Sequence, residues 1–496
     1  MPPIEGGFPW LEPMLPHFPP IVDRLRAVVP AESEVYLVGG TVRDAFLSRR
    51  SHDIDVVVPR EGLRLARRLA DALGGAFYPL DAARGTGRVL LTAEEGRYTI
   101  DIATYRGASL EADLRARDFT INALAVPLHA PDRLHDPTGG LRDLKGKILR
   151  ACSPATFADD PLRVLRGPRL AAALGFRIHP ATRDQMQQAI PLLEDVSPER
   201  LRDELFRMLG SAKPTAPLKA LDALGALSYV LPELPRLRGV RLPPPHQADA
   251  WQHATRTAEY LAALLEALAP AYDQEKAADF ALGYAMVRIG RYRDRLAEHL
   301  ARYSHPDRPL RALLTLAALY VPASAAVTGA VTPETSARLA ERRGRALRLS
   351  NAETRRLHAA VAHARALQQM AAAGVPLSRR AIYRYYRSAG SAGVDAVLLS
   401  LAESMATYGP RLPHDLWQRQ LETARALLSA WWEQHDEIVA PRPLLAGEEI
   451  MAVLGIPPGP RVGEAVEALR EAQAAGEVST RSEAERFLRG WWRQRA

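Results

Sequence analysis

The sequence is poor in the residues that staple, anchor or export a chain. One cysteine, Cys152, in 496 residues excludes an intramolecular disulfide framework and fits a reducing cytoplasm. No apolar run approaches the ~20 residues that cross a bilayer, so no membrane partner is expected. The opening Met1-Pro-Pro-Ile-Glu5 lacks the basic and apolar blocks of a signal peptide. Lysine is scarce beside arginine, and no internal repeat or low-complexity tract interrupts the chain. What is present is globular: 47% hydrophobic and 25% charged residues, at a length that implies three or four domains. A net charge of +8 and a pI near 9.6 suit a polyanionic partner such as RNA. A GC-rich coding sequence would raise arginine and alanine without any such partner.

The chain is organised around residues 35 to 58. Val35 to Val38 form a short apolar strand, and Gly39 and Gly40 let the backbone turn and approach a ligand closely. A helix over roughly Thr41 to Ser48 points its free N–H groups at that turn, an arrangement that binds anions. In Asp53-Ile54-Asp55 the period of two puts both carboxylates on one strand face, with Ile54 buried behind. Paired carboxylates repel unless a cation sits between them, and oxygen-only ligands suit Mg²⁺ together with substrate phosphates. A phosphate cradle beside such a pair is equipment for nucleotidyl transfer by two metals.

Further strands are expected at 76–80, 88–92 and 98–103, with a helix at 62–73, giving a small mixed α/β domain. Asp101 is either a third metal-side carboxylate or a solvated strand residue. Arg115, Arg117 and Asp118 precede an apolar element, and such arginines can hold triphosphate oxygens bidentately. His135 to Leu144 is a turn whose aspartate caps a helix. From about Ser153 the pattern is helical. The first helix is expected over Phe157 to Gly175, capped by Asp159 with Pro161 in its first turn, so that Asp160 and Arg163 share one face. Ser197 is the expected N-cap of another helix, with Pro198 at its first position. Pro243-Pro-Pro-His246 and Val439 to Pro443 mark linkers. Tyr383, Tyr385, Tyr386, Trp417, Trp431 and Trp432 lie in a basic segment and are either core or a platform for RNA bases.

Five stretches together resemble the bacterial-type (class II) tRNA nucleotidyltransferase and poly(A) polymerase family. They are Gly39 to Asp44 with Asp53-Ile-Asp55, Arg117 to Ala123, Asp136 to Gly140, Asp159 to Arg163, and Ser197 to Arg200. They occur in the family's order and cover roughly residues 30 to 210. The resemblance implies an α+β protein with a polymerase β-like nucleotidyltransferase head and an all-α neck, body and tail. The expected parts are an N-terminal brace (1–30), head (31–150), neck (151–240), a helical domain (246–365), RNA-binding body (366–438) and tail (440–496).

The implied activity is the addition of C and A from CTP and ATP to a tRNA 3′ end, with Mg²⁺. By the same resemblance Asp53 and Asp55 hold metal, while Gly39, Gly40 and Arg43 contact the triphosphate. Arg117 and Asp118 border the sugar and phosphates, and Asn122, Arg166 and Arg169 complete the nucleotide site. Asp160 and Arg163 read the base. Chemistry supports that last role, because a carboxylate only accepts and a guanidinium only donates. Cytosine and adenine each place an exocyclic amine beside a ring-nitrogen acceptor; uracil and guanine put a carbonyl oxygen where that amine would be.

Three departures stand out. Ala116 replaces a family arginine, Asp159 replaces a glutamate, and Tyr105 to Leu110 replaces a flexible loop implicated in the switch from C to A addition. A CC-adding or A-adding specialist, or a poly(A) polymerase, is the alternative product class. Residues 246 to 365 also resemble a phosphohydrolase (HD-type) domain, around Trp251-Gln-His253 and Arg345 to Asn351. Leu316 to Pro322 stands where its histidine–aspartate pair is expected, which implies a structural remnant without a metal site.

Overall fold

Alternating side chains build the sheet that carries the site. This computed structural model describes residues 16–82, 85–271, 280–305, 308–373 and 376–495. They fall into two compact units divided between Asp195 and Val196. The first unit begins with α1 (Ile21–Val28), then β1 (Tyr36–Val38), α2 (Gly40–Phe46), β2 (Asp53–Val58) and α3 (Gly62–Leu73). An antiparallel set follows: β3 (Ala76–Asp81), β4 (Thr86–Ala93) and β5 (Gly96–Thr104). After α4 (Leu110–Arg115), β6 (Ala125–Pro127) returns beside β1, giving the order β3-β4-β5-β2-β1-β6. The β2–β5 pair is parallel and its register sets Asp55 beside Asp101.

One sheet face is apolar. Ile54, Val56, Val89, Ile100 and Ile102 are buried, and Ala66, Leu69 and Ala70 of α3 are buried with them. Small residues let helix and sheet approach: a Cβ on Gly87 would lie 2.8 Å from the Cβ of Ala66. The described part of the N-terminal segment packs on this unit, with Arg26 donating to the Leu128 carbonyl at 2.8 Å. Residues 1–15 of the expected brace lie outside the described residues.

The helix expected over Phe157 to Gly175 is in fact two, α6 (Thr156–Asp159) and α7 (Arg163–Leu174), numbered after α5 (Gly140–Lys145). Pro161 is the cause. Its ring disfavours the helical region for the residue before it, and Asp160 is extended at φ −152°, ψ 97°. Asp160 and Arg163 therefore do not share a helix face. Ser197 does occupy the N-cap position of helix Pro198–Leu209, without a side-chain capping bond.

The second unit is helical. Helices Ala250–Ala267, Leu310–Tyr320, Ala392–Tyr408 and His414–Glu433 supply much of its buried surface. Among the described residues one stretch is as long and apolar as a membrane span, Leu310–Thr328, contrary to the sequence expectation; 83% of its apolar window is buried. Helices Gly447–Leu454, Pro460–Ala474 and Arg481–Arg493 close the chain around Leu445, Ile450, Leu469 and Leu488.

Candidate active site

The site grows from the first half of β2. Asp53 and Asp55 face one way and Ile54, 1% exposed, faces the core. Buried Thr41 on α2 fixes this edge: its hydroxyl accepts the Asp55 N–H at 2.7 Å and reaches the Asp53 carbonyl at 3.4 Å. Gly39 sits at φ +66°, and a Cβ there would lie 3.0 Å from both Asp55 Oδ2 and Arg117 Nη1. Only glycine tolerates that conformation and that approach together. Asp101 lies opposite Asp55 on β5, and Arg88, its partner on β4, holds it by two bonds of 2.8 and 2.9 Å.

Burial raises the pKa of Asp55, and Asp101 and Asp53 raise it further, against the opposing pull of Arg117 and the Gly40 amide. Three carboxylates, Asp53, Asp55 and Asp101, share this edge with two guanidinium groups, Arg88 and Arg117. Oxygen donors with surplus charge fit a divalent cation, and Mg²⁺ in particular completes its shell with water and phosphate oxygens rather than a full protein cage. Asp53 and Asp55 match that chemistry, whereas Asp101 is already held by the Arg88 guanidinium. Among the described residues the three aspartates do not converge into a closed ligand ring, unlike His246, His253 and Glu403, whose ligand atoms all lie within 4.8 Å of one another.

Behind the carboxylates runs a hydrogen-bonded chain of side chains. Arg43 pairs with Asp44 at 2.9 and 2.8 Å and donates to Asn122 Oδ1 at 2.7 Å. Asn122 in turn donates to Asp118 Oδ1 at 3.0 Å, and Arg166 donates to Asp118 Oδ2 at 3.1 Å. Burial works to raise the Asp118 pKa, but Arg166, Asn122 and the Phe119 amide outweigh it, so the carboxyl sits below its ordinary value. Arg166 and Arg169 are half-exposed positions, three apart, on an otherwise mostly buried α7. Arg117 is held against buried Asp113 at 2.9 Å. Gly39, Gly40, Arg43, Arg117, Asp118, Asn122 and Arg166 thus belong to one neighbourhood with Asp53 and Asp55.

Arg163 is buried, and its guanidinium donates to two carbonyls, Thr156 at 3.1 Å and Ala116 at 3.0 Å. Its Nε is buried without a hydrogen-bond partner. The Ala116 contact gives the first sequence departure a physical reading, since this position supplies a backbone carbonyl, which any side chain leaves in place. Asp160 Oδ1 accepts the Leu162 N–H at 3.3 Å, at the entrance to α7. Asp136 accepts from the amides of Gly140 and Leu141 and caps α5, as its turn motif implies.

Sequence reasoning missed Thr41, Arg88 and Asp113. The four-residue spacing of Asp113 and Arg117 on α4 was a visible signal; the Arg88–Asp101 pair depends on hairpin register and was not. In the second unit, Tyr383, Tyr385, Tyr386 and Trp417 are buried, which settles them as core. The cluster of His246, His253 and Glu403 contains its own cation: Arg365 lies 2.8 Å from Glu403 Oε1 and 3.3 Å from His246 Nε2. Gln368 Nε2 donates to Glu403 Oε2 at 2.8 Å. A guanidinium holding the carboxylate leaves poor electrostatics for a metal there.

Two family descriptions match the chain, and the second spans the boundary between the two units. The family described as poly A polymerase head domain matches residues 35–150, and that described as probable RNA and SrmB-binding site of polymerase A matches residues 175–237. A CC-adding tRNA nucleotidyltransferase of Geobacter sulfurreducens is 37% identical over 455 residues, 91% of each chain. An A-adding tRNA nucleotidyltransferase of Deinococcus radiodurans is 34% identical over 489 residues, 97% of each. Among solved structures, a CCA-adding enzyme with ATP superposes with a TM-score of 0.60 at 21% identity over 95% of both chains. Thermotoga maritima CCA-adding enzyme complexed with tRNA gives 0.54 at 22% identity over 96% of both. Both share the fold. With the carboxylate strand, the glycine turn and this full-length kinship in place, the chain belongs to the tRNA nucleotidyltransferase family, whose head domain is that of the poly(A) polymerases.

Proposed function

We propose that this enzyme is a CC-adding specialist, which extends a tRNA 3′ end by two cytidylates from CTP and leaves the terminal A to another enzyme. The observation that carries the reading is the connection between β5 and α4, residues 105–109. Its Tyr105 amide donates to the Val58 carbonyl at 3.0 Å and its Arg106 amide to Asp113 at 2.9 Å. Ser109 caps α4 by accepting from the Ala112 amide at 3.2 Å. Arg163 is tied to the end of the same helix through Ala116. A base reader anchored to a short link has no lever with which to move from a pyrimidine to a purine. One base geometry then serves one nucleotide.

In the reaction the primer 3′ hydroxyl gives up its proton to water, its oxygen bonds to the α-phosphorus of CTP, and the bond to pyrophosphate breaks. A divalent cation, which we infer to be Mg²⁺, would be held by Asp53 and Asp55; when bound it supplies positive charge at the attacking and leaving oxygens. Arg117, positioned by Asp113, and Arg43, positioned by Asp44 and Asn122, offer guanidinium N–H groups to triphosphate oxygens. Asp160 and Arg163 read the amine and ring nitrogen of cytosine. Work on cytoplasmic tRNA accords with a chain that has one cysteine.

The test uses purified protein, tRNAs ending before, within and after the CCA tail, and each nucleoside triphosphate singly. Two C additions and no A are expected. Addition of A alone to a CC end is the alternative, the activity borne by the name of the Deinococcus relative. Long A tails, or complete CCA synthesis, would overturn the proposal.

A further inference from the structure

The aromatic and basic stretch from Arg379 to Trp432 divides into two parts. Most of its aromatic rings are core, but Trp431 is half-buried and lines a 330 Å³ cavity with Tyr386 and His435. Trp431 and Tyr386 have ring centroids 5.0 Å apart, tilted by 33°, and His435 stands edge-on to the indole at 4.9 Å. His435 Nδ1 bonds the Trp431 carbonyl at 3.2 Å, which makes Nε2 an acceptor in the neutral ring. One π-helical turn, His435–Val439, forms another wall. Such turns widen a helix and recur at functional sites.

Two arginines complete the lining, and they differ. Arg387 is bound to Glu467 at 2.8 Å, and that carboxylate also takes the Tyr383 hydroxyl at 2.9 Å. Arg470 is half-buried, no carboxylate among the described residues pairs with it, and its Nε is buried with no hydrogen-bond partner. A desolvated guanidinium donor is costly until an anion meets it. Aromatic faces beside an uncompensated guanidinium match a nucleobase with its phosphate. The volume is at the small end for ligand cavities, and the chain carries a net charge of +8.

We propose that this cavity captures one unstacked nucleotide of the RNA substrate, its base on Trp431 and its phosphate on Arg470. The inference rests on the tRNA reading above and adds to it a specific anchoring point remote in sequence from the head. It concerns substrate binding and leaves the chemistry at Asp53 and Asp55 untouched.

The experiment measures binding of a labelled tRNA lacking CCA to the full chain at several salt concentrations, alongside steady-state CTP incorporation. Arg470→Ala is expected to raise the tRNA Kd and KM about tenfold, with kcat and the CTP KM unchanged. The log–log salt slope should fall by about 0.7, one single-strand phosphate contact. Arg470→Lys, which keeps the charge and most of the packing, should fall between. Ultraviolet crosslinking of bound tRNA should map to peptides containing residues 431–441. Unchanged Kd and slope in both variants would overturn the inference. Free CMP crosslinking at Trp431, with tRNA affinity unaffected by the variants, would also overturn it. A wild-type chain that binds tRNA through Arg470 yet transfers no nucleotide would sink the proposed function alone.

Discussion

Asp55 and Asp101 face each other in register across the parallel strands β2 and β5, and Arg88 grips Asp101 from the next strand. The pairing gives three carboxylates unequal environments: exposed Asp53, half-buried Asp55, and Asp101 already holding a guanidinium. Asp55→Asn is expected to cut kcat by about 10³-fold, the scale of losing a central electrostatic group. Arg88→Ala should act indirectly, by freeing Asp101 to shift. A loss of about tenfold in apparent Mg²⁺ affinity, with the CTP KM at saturating metal unchanged, is the expected signature. Metal titration of the initial rate decides it, and an unaltered titration would assign Asp101 a purely structural role.

Asn122 is the joint between Arg43 and Asp118. Its carbonyl accepts from one and its amide donates to the other, so Asn122→Ala strands a guanidinium N–H and weakens the hold on a buried carboxylate. About 1–3 kcal/mol of stability is expected to go with it. Asn122→Asp keeps the acceptor for Arg43 but sets a second negative charge against Asp118, and should be no better. Chemical denaturation gives the first quantity, and the CTP KM, expected to rise in both variants, gives the second.

The two halves of the site differed in legibility for a physical reason. Helix Gly62–Leu73 and strand Asp53–Val58 were readable to the residue because hydrophobic periodicity and turn residues bound them locally. Strand β6 was not, since Ala-Val-Pro is too short to carry a period and exists by pairing with β1. The break at Asp160 was available in the sequence, because Pro161 restricts the residue before it. Pro161 precedes α7, whose N-cap is Leu162, and Asp159 ends α6, so neither residue takes its expected place in a first turn or as a cap, and the helix breaks between them. Second-row contacts such as Arg88–Asp101 arise from register between distant segments, which local pattern does not encode.

Base choice makes the third test. With Asp160 extended rather than helical, its carboxylate is placed by a loop that Leu162 and Pro161 constrain. On the proposed reading Asp160→Ala removes the acceptor for the cytosine amine and should admit UTP or GTP, compressing the discrimination by about 10²-fold or more. Arg163→Ala should instead cost stability as well as selectivity, because that guanidinium also bonds the Thr156 and Ala116 carbonyls. Competition between paired triphosphates measures the first effect. Nucleotide choice unchanged in Asp160→Ala would remove Asp160 from the reader.

The second unit should be acid-sensitive through His253 and Glu403. Burial pushes the His253 pKa below its ordinary 6.5, against the opposing pull of Glu403. A group whose folded pKa is depressed contributes stability that is present above its unfolded pKa and lost as pH falls toward the folded one. For His253 the loss therefore starts near pH 6.5 and deepens below it. Burial raises the Glu403 pKa, but His246, His253 and Arg365 together hold it well below the ordinary 4.5, so its contribution starts to go only below about pH 4.5. Denaturation midpoints should thus fall in two stages between pH 7 and pH 3. His253→Gln, which cannot charge, should flatten the first stage and leave the second. Because Arg365 already provides the positive charge, elemental analysis of protein prepared without chelator should find no stoichiometric transition metal at this cluster. One equivalent of zinc that is lost in His253→Gln would show that the guanidinium can be displaced.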